Sequence, residues 1–514
     1  MKKVLLLLGL MTAIFAAPTY AQHEHGVCGV THEQGLVIKE RMLNNRKETP
    51  NYVRTRGVTT YVPIKVHLVG KDDGTGYSTQ DRVLDMLCVL NEGWETADIQ
   101  FYLKGDINYI DNSFVFTHDG FNNPNGNLAI WNEANAYKVN NAINVFVTSN
   151  VGGSNGNGVT LAYYTPVIDC VFVRKQSMLE ASTLPHEMGH FFSLNHPFLG
   201  WESEEWDAAT HGLQVGFSSP GGNLNEKVDD PQCATVADGI CDTPPDYLFA
   251  FHPSQSGGCG EFTGGAMDPV GVLIDPLENN MMSYFSNCDY VFTEDQMNVA
   301  VSDLNKPYRN YVNPGITPNL DVVNELAVAI SPINGEEKSY NAVELKWDPV
   351  PGATHYIVEL DRFTSFDWMP LREVVTTNSA FIGNFCTPNV EYFWRVRPFN
   401  EYSTCDSSFG DAFSFNTNAI ASKVETVEGV NYWSVRPNPA NSSDAIFVDV
   451  EALQSMDATV NMYGVTGQLI SSSKQLFATG NNTIELATSN LTAGLYMVSI
   501  ETKTGVTTKR LVIR

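Results

Sequence analysis

The pentapeptide His186-Glu187-Met188-Gly189-His190 constrains this chain more than any other stretch. Two histidines four positions apart address one point only if the backbone between them is helical, because residues i and i+4 lie one above the other on a helix face. Both imidazoles then reach one metal ion, and Glu187 sits where it can touch a water at that ion. Ser182 and Thr183 offer hydroxyls to cap such a helix, and Pro185 falls in its first turn, where proline is tolerated. His196 follows His190 by six residues, so a chain that turns back after the second ligand delivers a third.

Three neutral imidazoles leave zinc its +2 charge and an open fourth position, as in catalytic zinc sites. The expected chemistry is hydrolysis by water with Glu187 as general base and no covalent intermediate. A structural zinc site is the plainer alternative, but such sites close the fourth position with protein, and no partner is evident in the sequence. His67, His211 and His252 have no ligand spacing to one another and are expected to be surface or hydrogen-bonded histidines.

The stretch HEMGHFFSLNH, residues 186–196, resembles the metzincins and departs from their H-E-x-x-H-x-x-G-x-x-H pattern at Ser193, where they carry glycine. Glycine takes φ > 0 without steric cost, so serine there carries an expected penalty of about 1 kcal/mol if the bend needs that conformation. A second block, Asn280-Met281-Met282-Ser283-Tyr284 with Cys288 and Phe292-Thr293-Glu294-Asp295-Gln296, is similar to the Met-turn region of the pappalysin family. Cys241-Asp242-Thr243-Pro244-Pro245-Asp246 lies between the two and is also similar to that family. The resemblance implies an α+β metzincin-like catalytic domain acting on protein or peptide substrates. It implies Met282 as an apolar floor beneath the metal and Tyr284 pointing into the cleft, where its hydroxyl can serve the oxyanion. By themselves, Met282 reads equally as core and Tyr284 as a buried aromatic. Asp242 and Asp246 read as turn residues, or as calcium ligands as the resemblance allows. Thr293 with Gln296 reads independently as a capping box.

Around this block the chain divides by texture. Residues 1–21 have a basic start, an apolar run and a small residue at their end, the pattern of a secretory signal cut before Gln22. The run is too short to span a bilayer, and no later stretch is long enough. Residues 22–59 are polar and read as a propeptide or N-terminal extension. From Thr60, alternation of Val62, Ile64, Val66 and Leu68 marks a strand, and Val83, Leu87, Leu90 and Trp94 mark one face of a helix opening at Ser78. Strands are also expected at Gln100 to Leu103, Ile143 to Thr148 and Asp169 to Val173. This mixed domain runs over 60–312, and 313–328, with Pro314, Gly315 and Pro318, is a linker.

Two all-β sandwich modules follow. Residues 329–418, with Trp347, Pro351-Gly352-Ala353 and Tyr392-Phe393-Trp394-Arg395-Val396, resemble a fibronectin type III domain. In 431–514, Val435-Arg436-Pro437-Asn438-Pro439-Ala440, Leu491 to Val498 and the basic end Lys509 to Arg514 are similar to the C-terminal sorting domain of the type IX secretion system. That resemblance implies export through the periplasm, handling by the type IX machinery, and release or attachment at the cell surface. The net charge of −27, from 31 basic and 58 acidic residues, excludes a nucleic-acid binder, because phosphate would be repelled over most of the surface.

Nine cysteines in an exported chain point to disulfides, and the odd count leaves at least one thiol over. Cys386 and Cys405 are expected to pair within the first β module, and Cys233, Cys241, Cys259 and Cys288 to form two bridges with three possible pairings. Cys28 has two readings. Cys28-Gly29 resembles the cysteine-switch segment of related zymogens, in which a thiolate takes the fourth metal position; otherwise Cys28 pairs with Cys88 or Cys170. The leading expectation is a latent, exported zinc endopeptidase. Its competitors are a surface adhesin with the metal domain as scaffold, and a metal-dependent hydrolase of non-peptide substrates.

Overall fold

The computed structural model describes residues 26–514 apart from 119–123, 153–158, 253–257, 316–320, 369, 384, 420–428, 442–444, 465–467, 487–490, 504 and 514. The expected signal segment, its cut before Gln22 and part of the linker lie outside these residues. The chain forms two compact units. The first takes residues up to Leu326 together with Val350–Ile357 and Arg397–Ser408, and the second takes the remainder.

The first unit is built on a seven-stranded sheet. Its strands are β1 (Gly26–Cys28), β2 (Thr60–Gly70), β3 (Ile99–Leu103), β4 (Asn108–Asp111), β5 (Ile143–Thr148), β6 (Val159–Thr165) and β7 (Cys170–Arg174). They run in the order β1-β6-β7-β5-β2-β3, with β4 also on β2. All pairings are parallel except β6 with β7. Strand β5 is buried throughout, as a strand covered on both faces should be. The short β1 pairs with the edge strand β6 at Gly26, Val27 and Cys28, so the stretch read as a polar extension completes the sheet.

Seven helices accompany the sheet among the described residues: α1 (His32–Glu48), α2 (Gln80–Trp94), α3 (Ser113–Thr117), α4 (Pro124–Asn135), α5 (Thr183–Phe191), α6 (Ala208–His211) and α7 (Glu294–Leu304). Helix α2 begins two residues after the expected Ser78 and buries Val83, Leu87, Leu90 and Trp94, the face read from spacing. Helix α7 starts with the Thr293 and Gln296 capping box. Helix α5 differs in one detail. Ser182 is its N-cap residue, but its hydroxyl makes no capping hydrogen bond, because Ser182 holds helical φ and ψ rather than the extended conformation that aims the side chain at the first turn.

The second unit contains two pairs of sheets, in one of which Glu336–Ser339 runs parallel to Phe413–Asn418. One pair has a three-stranded sheet around Val343–Trp347 and a five-stranded sheet centred on Glu391–Phe399. The other has three- and four-stranded sheets from Val430–Arg436 onward, closed around Val448, Val460, Met462, Val498, Ile500 and Leu511. The fold is thus an α+β unit with β-sandwich modules after it. No helix among the described residues is long and apolar enough to cross a membrane.

One cysteine expectation is corrected. Cys405 bonds to Cys88 on α2, and Cys386 is a free, buried thiol. The reason is that the segment Arg397–Ser408 belongs to the first unit, where it brings the two Cα atoms to 5.0 Å. Cys233 pairs with Cys241 and Cys259 with Cys288, as two of the possible bridges. Cys28 and Cys170 are also free, so three thiols remain unpaired.

Candidate metal centre

Helix α5 carries His186 and His190 on one face, and the chain reverses immediately after it. The reversal is made at Ser193, whose φ of 72° is the left-handed conformation that the substitution for glycine made costly. Its hydroxyl offsets that cost, donating to Asp303 Oδ1 at 2.5 Å and accepting from Arg41 Nε at 2.7 Å. The reversal returns His196 to the helix. The three Nε2 atoms lie 3.1 to 3.2 Å from one another.

This donor set fits a tetrahedral zinc ion, whose ligands at about 2.0–2.3 Å stand about 3.3–3.8 Å apart. His186 Nδ1 lies 2.8 Å from Met281 O and His190 Nδ1 lies 2.8 Å from Leu194 O, which fixes the proton on Nδ1 and leaves Nε2 free to coordinate. His196 Nδ1 lies 3.8 Å from Glu202 Oε1. Burial drives the His186 pKa down to about 3 and that of His190 well down, so both rings are neutral, as metal ligands must be. The Cys28 sulfur completes the group, and the four ligand atoms all lie within 4.8 Å of one another.

Glu187 is 2% exposed and accepts a hydrogen bond from Tyr164 N at 2.8 Å. Burial raises its pKa to about 8. Burial, and after it the Glu187 charge, raise that of the Cys28 thiol. Met282 is fully buried beneath α5, where a methyl group on Gly189 would overlap its sulfur. Tyr284 packs 5.0 Å from the His196 ring and 5.9 Å from that of His186, and its hydroxyl donates to Cys28 O at 3.2 Å. A cavity of about 330 Å³ opens beside His186 and Glu187, lined by Cys28, Leu161, Thr183, Tyr284 and Asn287.

The remaining candidates lie elsewhere. His67 is buried between Asn144 and Asn108, and His211 faces Glu204 at 3.3 Å. Asp242 accepts from Thr293 Oγ1 and Asp295 N at the start of α7. Asp246 accepts from Ser283 Oγ at 2.8 Å, next to Met282 in the chain, and burial raises its pKa to about 6. The two carboxylates therefore serve different partners.

Sequence reasoning missed Arg41 and Arg309. Arg41 donates to His190 O and Phe191 O at 2.9 and 3.0 Å and to Tyr164 OH at 2.9 Å, and Arg309 binds Asp303 Oδ2 at 2.8 Å and Asp169 Oδ2 at 3.0 Å. Both cap the carboxyl end of α5, where cations meet the helix dipole. The charge run Lys39 to Lys47 was visible in sequence, but nothing there named its partners.

Residues 434–514 match the family described as the secretion system C-terminal sorting domain. The chain is exported. This domain marks it for the type IX secretion system, with secretion or cell-surface attachment as the result. No curated protein matches the chain. Among solved structures, a mutant of promirolysin from Tannerella forsythia is similar over 56% of this chain and 97% of its own, at 17% identity and a TM-score of 0.35. Dimeric latent PorU from Porphyromonas gingivalis is similar over 37% of this chain and 20% of its own, at 15% identity and a TM-score of 0.22. The FN1–FN3 domains of chicken CNTN1 are similar over 37% of this chain and 67% of their own, at 16% identity and a TM-score of 0.15. At such scores these likenesses carry no functional argument, and the side-chain geometry must bear it.

Proposed function

We propose that the first unit is a zinc-dependent endopeptidase of the pappalysin type, exported as a latent precursor in which residues 22–59 form the propeptide. The observation that carries this reading is the convergence of His186, His190 and His196 Nε2 atoms within 3.2 Å, with the buried Glu187 carboxyl beside them. Zinc held by these imidazoles supplies a +2 charge that polarises a carbonyl oxygen and acidifies water. Glu187 takes a proton from the attacking water and passes it to the leaving amide nitrogen as the carbon–nitrogen bond breaks. Tyr284, freed from Cys28 O, donates to the oxyanion that develops on the substrate carbonyl. Met282 and the hydrogen bonds on Nδ1 of His186 and His190 hold the ligands in place. Latency would follow from Cys28, whose sulfur lies within 4.8 Å of the three imidazole nitrogens and would take the fourth place on the metal, its strand laid on the edge of the sheet.

The test uses the full chain, matured until self-cleavage stops and offered an unstructured protein such as casein. Cleavage that a chelator abolishes, and that Glu187→Ala lacks while still binding zinc, is the expected result. A folded, zinc-loaded chain that has lost its N-terminal segment and cuts no peptide would overturn the reading in favour of an adhesin or a non-peptide substrate.

A further inference from the structure

Residues 26–48 hold the first unit through far more than Cys28. Helix α1 turns one face inward, with Ile38 0% and Met42 1% exposed. Its cations reach acceptors on the body: Lys39 Nζ to Ala237 O at 2.7 Å, Arg46 to Ala234 O and Gly239 O at 2.8 and 2.9 Å, and Arg41 to Ser193 and the end of α5. Lys39 lies in the field of Asp238 and Glu226, and Arg41 in that of Asp303. Asn45 donates to Asp303 at 2.9 Å, and Lys306 of the body donates to Asn45 O at 3.0 Å. A basic helix face is thus matched to a body that carries the chain's acidic excess.

The segment that follows is anchored at Arg54, which donates to Asp98 Oδ2 at 2.9 Å, and is exposed on either side of it. Between α1 and β2, Val53 is 73%, Arg56 70% and Val58 65% exposed, and Gly57 has open space around it. Exposed loops of this sort are where proteases cut. Hydrolysis of one peptide bond within 55–59 consumes one water and leaves a carboxylate on the upstream piece and an ammonium on the downstream one. It removes none of the contacts made by β1 or α1.

We propose that the surface under α1 is a separable binding site for residues 26–48, so that this segment stays bound after the loop is cut, and that cutting and activation are two distinct steps. The proposal rests on the reading of the site as a peptidase kept latent by Cys28. Once the loop is cut, the segment's hold depends on concentration, since it is no longer tethered. Dilution, rather than the cut itself, then releases activity.

Two full-length chains test this, each with a site-specific protease sequence replacing residues 55–59. In the first, which also carries Glu187→Ala, the cut segment is expected to co-elute with the body on gel filtration at micromolar concentration. Separate elution would overturn the proposal whether or not the body is a peptidase. In the second, otherwise native, activity after the cut is expected to rise with dilution and time and to fall on adding a synthetic 26–48 peptide. Full activity at once at every concentration would also overturn it. Lys39→Ala with Arg46→Ala, which alter only the segment, should bring release at a concentration about tenfold higher, as the loss of roughly 1.4 kcal/mol of hydrogen bonding implies. Co-elution without activity after the segment is washed away would sink the peptidase reading while the docking stands.

Discussion

The Arg41 guanidinium donates to the Ser193 hydroxyl at 2.7 Å, and thereby a residue of the N-terminal segment touches the bend that returns His196 to the histidine cluster. Ser193 accepts that bond while donating to Asp303, so its hydroxyl lies between a cation and an anion in a site shut off from water. Replacing Ser193 by Gly relieves the left-handed backbone, worth about 1 kcal/mol, and gives up a buried hydroxyl between charges, worth about 1.5–3 kcal/mol. Ser193→Ala loses the hydroxyl and keeps the strain. Thermal melts of the precursor should therefore rank wild type above Ser193→Gly and Ser193→Ala lowest; a glycine variant more stable than wild type would show that the hydroxyl contributes little.

Gly189 and Met282 form a second tight pair. A methyl group at Gly189 overlaps the Met282 sulfur, so Gly189→Ala should cost about 1–3 kcal/mol and reduce hydrolysis as α5 shifts. In a Met282→Ala background the same change should cost clearly less. Denaturant titrations of the two single variants and the double variant measure this coupling, and additive losses would place Met282 outside the contact.

Acid should weaken the first unit through two buried histidines. His67 accepts at Nδ1 from the Asn108 amide, and it approaches Asn144 Oδ1 at 3.0 Å through Nε2, a pattern for the neutral ring. Burial lowers the pKa of His67 and of His118 to about 4 each. Between about 6.5 and 4 the unfolded state binds protons that the folded state refuses, so stability is lost as the pH falls, by up to about 1.4 kcal/mol per unit for each ring. Glu226 and Asp238, both raised by burial, act in the opposite direction, because folded carboxyls hold protons that the unfolded chain releases above about 4.5. The comparison to make is therefore the pH slope of wild type against His67→Gln, which should be shallower. Equal slopes would remove His67 from the account.

The bridge between Cys88 and Cys405 should be worth about 2–4 kcal/mol. Cys88→Ala with Cys405→Ala should lower the melting temperature, whereas Cys386, a buried free thiol, should react with an alkylating reagent only on unfolding. Peptide mapping of the oxidised chain that finds Cys386 joined to Cys405 would reverse this assignment.

Much of the centre was legible in sequence because its ligands sit within eleven residues and a helix fixes their relation. Helix periodicity alone predicts that His186 and His190 share a face, and the capping box at Thr293 and Gln296 is equally local. The contacts that tune the centre were not legible. Arg41 reaches Ser193 across 152 positions, and Cys405 reaches Cys88 across 317. Nothing in local spacing specifies such partners, and pairing Cys386 with Cys405 failed because proximity in sequence stood in for proximity in space. The polarity of residues 22–59 was legible, but not its partners: Lys39, Arg41 and Arg46 meet backbone carbonyls of segments far away in sequence.

That Arg397–Ser408 belongs to the first unit has a bearing on biosynthesis. Cys88 leaves the ribosome long before its partner, and a polypeptide stopped at Val312 would never receive it. The first unit is therefore not the autonomous N-terminal block that its motifs outline, and most of the first sandwich must be translated before its last structural piece is available. An organism that moves this chain across a membrane before it oxidises would join the two cysteines only after both have arrived on the far side.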